Sequence, residues 1–278
     1  IHKALEVWWQ NFDQENRLEL ALEALPTLDP FVFARAVAMV VGYDCFWGDA
    51  GFVPLEVEKE FRFPLMDPES GKCSRTWEMA GKIDAIVRDS DGRVWVLEHK
   101  TTSEDASPGS VYRQRLTLDG QVSQYVLGAL SLGYDAVGVI YDVLVKPSQK
   151  PLKATPEASR KVRKDGELYA GQRISDESPE EYLDRIVGAV SAAPHEYFSR
   201  VEVVRLDTES DEYLWDVWAL ADQMRDSART GRAPRNPDAC FRYGSPCAYW
   251  GVCTGTTSLD DTTRFTKTGP NPELEQSK

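Results

Sequence analysis

Two apolar runs separated by Asp89-Ser90-Asp91-Gly92 constrain this chain more than anything else in it. The runs, Trp77 to Val87 and Arg93 to Leu97, flank an Asp-Gly turn signal, which predicts an antiparallel hairpin. The first run carries Gly81-Lys82-Ile83-Asp84 and the second leads into Leu97-Glu98-His99-Lys100-Thr101-Thr102. Closing the hairpin brings the Asp84 carboxylate near that of Glu98. Strand alternation puts Glu98 and Lys100 on one face and His99 on the other. Two carboxylates and an ammonium on one face suit a hard divalent cation beside an attacked phosphodiester. The plainer alternative is a solvated strand face with an acid and a lysine, common at such hairpins.

Gln121 to Leu132 has a helical pattern closed by Gly133, and the spacing predicts a helix over 117–132. Val122, Val126, Ala129 and Leu130 form its expected buried stripe. Gln121 and Tyr125, four apart, share another face. The chain opens with a helical pattern over 2–25, in which Leu5, Trp8, Trp9 and Phe12 make an apolar side. His2 and Glu6 lie one turn apart there, and a neutral imidazole suits a transition ion such as Mn²⁺.

The ordered series His2, Asp84, Glu98-His99-Lys100 and Gln121-x-x-x-Tyr125 resembles the RecB-like branch of the PD-(D/E)XK nuclease superfamily. CRISPR-associated adaptation nucleases and phage RecB-like exonucleases are similar in pattern. The resemblance implies an α/β (α+β) fold: a restriction-endonuclease-like core with a central mixed β-sheet flanked by helices, followed by a C-terminal cysteine loop. It implies an Mg²⁺- or Mn²⁺-dependent deoxyribonuclease in which His2, Asp84, Glu98 and the backbone carbonyl of His99 ligate the ion. Lys100 would position water or stabilise the transition state, with Gln121 and Tyr125 supporting the site and the scissile phosphate. Ile83 stands where many relatives have proline. The segment that precedes the histidine in relatives is absent here, and an opening Ile instead of Met fits a partial protein.

Three of the five cysteines, Cys240, Cys247 and Cys253, fall in one Gly-, Pro- and aromatic-rich stretch. An odd count and no secretion signal argue against a disulfide framework. Thiolates so spaced suit zinc or an iron–sulfur cluster. The resemblance favours a [4Fe–4S] cluster on this trio, with its fourth ligand upstream of His2 and so missing from this chain. Cys45 follows the apolar run Val37 to Tyr43 and is expected in the core. Cys73 is expected in a polar loop and without a role.

A net charge of −13 is unusual for a protein that handles nucleic acid. The acids, however, concentrate at 176–184, 207–216 and the N-terminal helices. Lys146, Lys150, Lys153, Arg160, Lys161, Arg163 and Lys164 face only Glu157 in a stretch broken by three prolines. Such a basic, semi-rigid loop suits a phosphate backbone, with Arg113 and Arg115 adding to the groove. The expected layout is a nuclease core over 1–235 with a basic insertion at 146–175, a cysteine loop at 236–255 and a polar, frayed tail at 256–278. Further elements are expected as a helix over 29–48, a strand over 55–65, strands over 136–145 and 198–206, and helices from Ser178 and over 208–230. No run is expected to reach the eighteen or so apolar residues of a membrane span, so the cytoplasm is the default. DNA is the expected partner, alongside recombination or CRISPR adaptation proteins. The competing readings are an inactive DNA-binding scaffold of the same fold and a zinc-stapled interaction protein.

Overall fold

A computed structural model of the chain describes residues 1–48, 51–241 and 245–268. The expected first helix is two: α1 (His2–Gln10) and α2 (Arg17–Glu23). Asn11 ends α1 by turning both its backbone N–H and its side-chain amide back to Val7 O, and polar residues that bond their own backbone compete with helix continuation. Arg17 fixes the corner, donating to Phe12 O at 2.9 Å and to Asp44 Oδ1 at 2.9 Å.

α3 (Pro30–Trp47) starts at Asp29, whose carboxylate accepts from Phe31 N and Val32 N, with Pro30 in the first turn. Contrary to expectation, this helix is long and apolar enough to cross a membrane by length and composition. Here it serves the core: Ala34, Ala38, Met39 and Tyr43 are buried, and Arg35 donates to Tyr182 OH at 3.2 Å. Cys45, expected inside, is exposed, because it falls on the outward side of the same helix.

β1 (Val53–Met66), β2 (Cys73–Arg88) and β3 (Val94–Thr102) follow. Cys73 therefore opens a strand and is not in a loop. The hairpin turn is built as its sequence predicts, with Gly92 N donating to Asp89 O at 3.0 Å and Gly92 at φ 82°. α4 (Val111–Thr117) and α5 (Gly120–Ser131) carry the crossover to β4 (Ala136–Val145). After the basic segment come α6 (Pro179–Ala192), α7 (Pro194–Tyr197), β5 (Phe198–Val204), α8 (Asp207–Thr230) and α9 (Trp250–Thr254).

The sheet order is β1-β2-β3-β4-β5. β2–β3 and β4–β5 are antiparallel and β3–β4 is parallel, so the sheet is mixed. β3 and β4 are buried on both faces over most of their length, as central strands covered by helices are. On α5, Val122, Tyr125, Gly128 and Ala129 are buried, but Leu130 is exposed, so the stripe is rotated from the expected one. Gly128 explains the tilt: a Cβ there would sit 2.7 Å from the Phe61 ring, and the helix lies on that ring instead.

By backbone proximity the chain divides into two compact units, Ile1–Arg62 with Ala80–Ser210, and Phe63–Met79 with Asp211–Lys278. The main hydrophobic core belongs to the first, formed by α1–α3, α6 and one face of β2–β5. In the second, residues 255–268 are turned back and not frayed: Thr256 N and Thr257 N donate to Gly251 O, and Phe265 stacks on Tyr249 at 5.6 Å. The remainder of the expected tail, 269–278, lies outside the described residues.

Candidate active site

The site is built on β3 where it leaves the hairpin. The paired residues end at Ala85↔Leu97, and Asp84 and Glu98 are the next residue on each strand. The Asp84 carboxylate accepts the His99 backbone N–H at 2.8 Å through Oδ2. Lys100 Nζ donates to Glu98 Oε1 at 2.8 Å and to Gln121 Oε1 at 2.7 Å. Gln121 Nε2 reaches Glu98 Oε1 at 3.2 Å and Tyr125 OH at 2.7 Å. The four-residue spacing on α5 thus places Gln121 and Tyr125 as one support, capped from behind by Asp119 at the helix start.

Every hydrogen bond to Glu98 goes to one oxygen. Oε2 is buried and has no partner. An unpartnered buried carboxylate oxygen costs free energy unless something positive meets it. The electrostatics agree. Burial, then the nearby Asp84 charge, pushes the Glu98 carboxyl up to about 7, although Lys100 opposes the change. Burial also raises Asp84, against the influence of His99 and Lys100. Two desolvated carboxylates, of which only Glu98 is bonded to the Lys100 ammonium, are short of positive charge, and hard oxygen donors fit a divalent cation. Asp84 and Glu98 are the residues that could hold one.

His2 sits on the first turn of α1 with an exposed surface. Crowding by protein lowers its pKa, and it lies near enough to His99, Glu98 and Lys100 to feel their charges. Burial thus favours its neutral form, the form that ligates metal. Among the described residues, however, no three His, Cys, Asp or Glu side chains are gathered as a metal-binding group. That holds for His2 with Asp84 and Glu98, and equally for Cys240, Cys247 and Cys253. The last three are free thiols, with Cys247 N donating to Cys240 O at 2.8 Å. Residues 242–244 of that loop lie outside the described residues.

Of the basic residues expected to contact DNA, Lys146, Lys150, Lys153, Lys161, Arg163 and Lys164 are exposed. Lys153 is paired with Asp176 at 2.9 Å. Arg160 is half-buried and spends its guanidinium on Thr155 O and Ile174 O. Arg113 likewise donates to Ala106 O at 2.6 Å, and Arg115 pairs with Glu104. The segment itself is irregular apart from a 3₁₀ turn at Glu157–Ser159 and one bridge, Val162↔Leu168.

Sequence reasoning missed the residues behind the site. Asp142 on β4 is fully buried, accepts from Tyr43 OH at 2.5 Å, and lies 3.1 Å from His99 Nδ1 and 3.4 Å from Arg200 Nε. Burial alone would raise Asp142, but Arg200, His99 and Tyr43 outweigh it and hold the carboxyl low. Burial would lower His99, and the bond to Asp142 reverses that. A lone acid within Ala136 to Val145, an otherwise apolar run, was the available signal.

A strand-borne acid beside an acid-x-lysine strand, backed by a glutamine–tyrosine helix on a mixed sheet, offers oxygen donors of the kind a hard cation takes. The sequence profile of the PD-(D/E)XK nuclease superfamily matches residues 1–254, and the chain belongs to that superfamily. Its fold is the α/β restriction-endonuclease-like one, and metal-dependent nuclease activity, expected to act on DNA, is what membership carries. Among curated proteins no match is found. Seven solved chains match; one, titled "Crystal structure of SSO0001", is 13% identical, with 92% of this chain and 83% of that chain covered at a TM-score of 0.34.

Proposed function

We propose that this chain is a RecB-like, Mg²⁺- or Mn²⁺-dependent deoxyribonuclease acting as an exonuclease on DNA ends. The unpartnered buried Oε2 of Glu98, beside Asp84 and Lys100, carries the reading. Asp84 and Glu98 would hold the ion, with His2 and the His99 carbonyl as further donors; when bound, the ion neutralises phosphate charge and acidifies water. The chain's own residues arrange the rest. Gln121 and Lys100 occupy Glu98 Oε1, which leaves Oε2 for the ligand. Lys100 has three N–H groups, two of them bonded to Glu98 and Gln121, so one remains for a water or a phosphate oxygen. Its side chain is 27% exposed and can reach both. Gln121, held by Tyr125, keeps the ammonium aimed.

Exonuclease action is favoured because no sequence-reading module is recognisable in the chain. DNA repair or recombination, phage DNA processing and CRISPR adaptation are all compatible settings, in a cytoplasmic protein. The exposed Lys146, Lys150, Lys161, Arg163 and Lys164 would follow the phosphate backbone. A [4Fe–4S] cluster on Cys240, Cys247 and Cys253 would require the trio to converge with a further ligand, and iron analysis with visible absorbance tests it. The deciding experiment is digestion of end-labelled linear DNA beside a closed circle with Mg²⁺, Mn²⁺ or EDTA. Metal-dependent loss of the linear form with the native chain, and none with Glu98→Ala, supports the reading. Cutting of the circle would overturn the exonuclease assignment, and no cleavage by folded native protein would overturn the nuclease.

A further inference from the structure

Three neighbouring strands place three charged or ionisable side chains directly opposite one another. His99 on β3 pairs in register with Asp142 on β4, and Asp142 pairs with Arg200 on β5. The row lies on the sheet face away from Glu98 and Lys100, and all three residues are nearly or wholly buried: side-chain exposures are 3%, 0% and 9%. Tyr43 of α3 closes it from above, bonded to Asp142 and itself accepting from Trp9 Nε1 at 3.1 Å. Arg200 lies under the Trp47 ring at 3.9 Å.

Such a row is an expensive way to fill a core. Buried ion pairs roughly break even against apolar residues of the same volume, and their best-attested use is to specify register. The apolar residues of β3 and β4 alone specify register weakly. β3 is apolar over Val94–Leu97 and β4 over most of its length, so along that stretch a slip exchanges one apolar contact for another. Their pairing already shifts between Val94 and Val96. Only one alignment lets the imidazole, carboxylate and guanidinium meet.

We propose that the His99–Asp142–Arg200 row, capped by Tyr43, is a register lock that positions the active strand. The inference rests on the nuclease reading for its consequence, though not for its geometry. His99 links the two faces: its side chain is held in the lock, and its backbone N–H holds Asp84 Oδ2. Fixing His99 fixes the peptide between Glu98 and Lys100. It also sets their position against Gln121, because α5 leads directly into β4. Asp142, Arg200 and Tyr43 are positioning residues; none touches the carboxylates of the site.

The test compares the native chain with Asp142→Leu/Arg200→Met, which removes the carboxylate and the guanidinium together. Metal-free protein is followed by amide hydrogen exchange of the 94–102 segment, and cleavage is followed by kcat and KM. The lock predicts a folded variant whose 94–102 amides exchange at least about tenfold faster while the α2 amides 17–23 do not change. It also predicts kcat lower by at least about tenfold with KM within about twofold, as expected when orientation is lost and binding kept. A folded variant with native exchange in 94–102, or with native kcat, overturns the proposal. Should the double variant not fold, Tyr43→Phe, which deletes one donor and no charge, carries the same comparison: faster exchange confined to 94–102 supports the lock, and unchanged exchange overturns it. If native protein cleaves nothing, the nuclease reading fails, and hydrogen exchange still decides the lock.

Discussion

Replacing Glu98 by Gln is expected to stabilise the metal-free protein while abolishing its chemistry. The folded carboxyl titrates at about 7 against an ordinary 4.5. At about 1.4 kcal/mol for each tenfold change in proton affinity, that difference is worth about 3 kcal/mol. The sign follows from proton counting. Between pH 4.5 and 7 the unfolded chain has released a proton that the folded chain still holds, so the unfolded state binds fewer protons and stability falls as pH rises. The destabilisation is absent near pH 4 and complete above about pH 8. An amide has the same shape, can still accept from Lys100, and carries no charge to desolvate. Urea denaturation in EDTA at pH 5 and pH 8 measures this. The variant should match the native chain within about 1 kcal/mol at pH 5 and exceed it by about 2–3 kcal/mol at pH 8. Asp84, raised by burial, and His99, raised by Asp142, also lose stability with rising pH. Both remain in the variant, so the difference between the curves isolates Glu98 to first order. A variant no more stable than the native chain at pH 8 would refute the claim that Glu98 is held against its desolvation.

Lys100→Ala should cost about 10²–10³ in kcat, as removing one charge-stabilising donor does, with circular dichroism unchanged; turnover within about threefold of native would remove Lys100 from the chemistry. Gly138→Ala should destabilise by about 1–3 kcal/mol or more in urea, because a Cβ there would meet the Val203 backbone oxygen at 2.3 Å and β4 cannot part from β5 without losing ladder bonds. A loss below about 0.5 kcal/mol would show that β5 can yield. Lys161, Arg163 and Lys164 replaced together by Ala should lower the slope of log affinity for DNA against log salt by about 2–3, with kcat at saturating DNA kept; an unchanged slope would place the bound strand elsewhere.

The sequence made local features legible and left long-range pairing illegible. The Asp-Gly turn, the alternation on β3 and the four-residue spacing on α5 are short-range, and they carried Asp84, Glu98, Lys100, Gln121 and Tyr125 to one place. The break at Asn11 was missed because apolar spacing continued on both sides, while the competing side-chain bond to Val7 O is a single contact. Leu130 was misplaced because its periodicity says which residues share a stripe, whereas Phe61, distant in sequence, decides which stripe is pressed down. Asp142 could be flagged as an acid in an apolar run, yet its strand partners His99 and Arg200 are 43 and 58 residues away along the chain and only register identifies them, while Tyr43 is 99 away on a helix.

Alternation along β3 joins these two layers of the molecule at the shortest possible distance. Glu98 and Lys100 face the site, and His99, between them, faces the core. A site on a strand needs its carboxylates desolvated to bind a cation strongly, and desolvation makes the empty site unstable, as the raised Glu98 shows. A strand carrying that cost relaxes by shifting, unless its opposite face is fixed by contacts that exist in one register alone. Apolar packing by Val139, Ile140, Val143 and Leu144 is less particular about its partners than a charge is. Asp142 supplies such a contact, because a buried charge displaced from Arg200 and Tyr43 costs several kcal/mol. The buried charges on the two faces are therefore complementary: one set is destabilising and poised for a ligand, and the other keeps it in place.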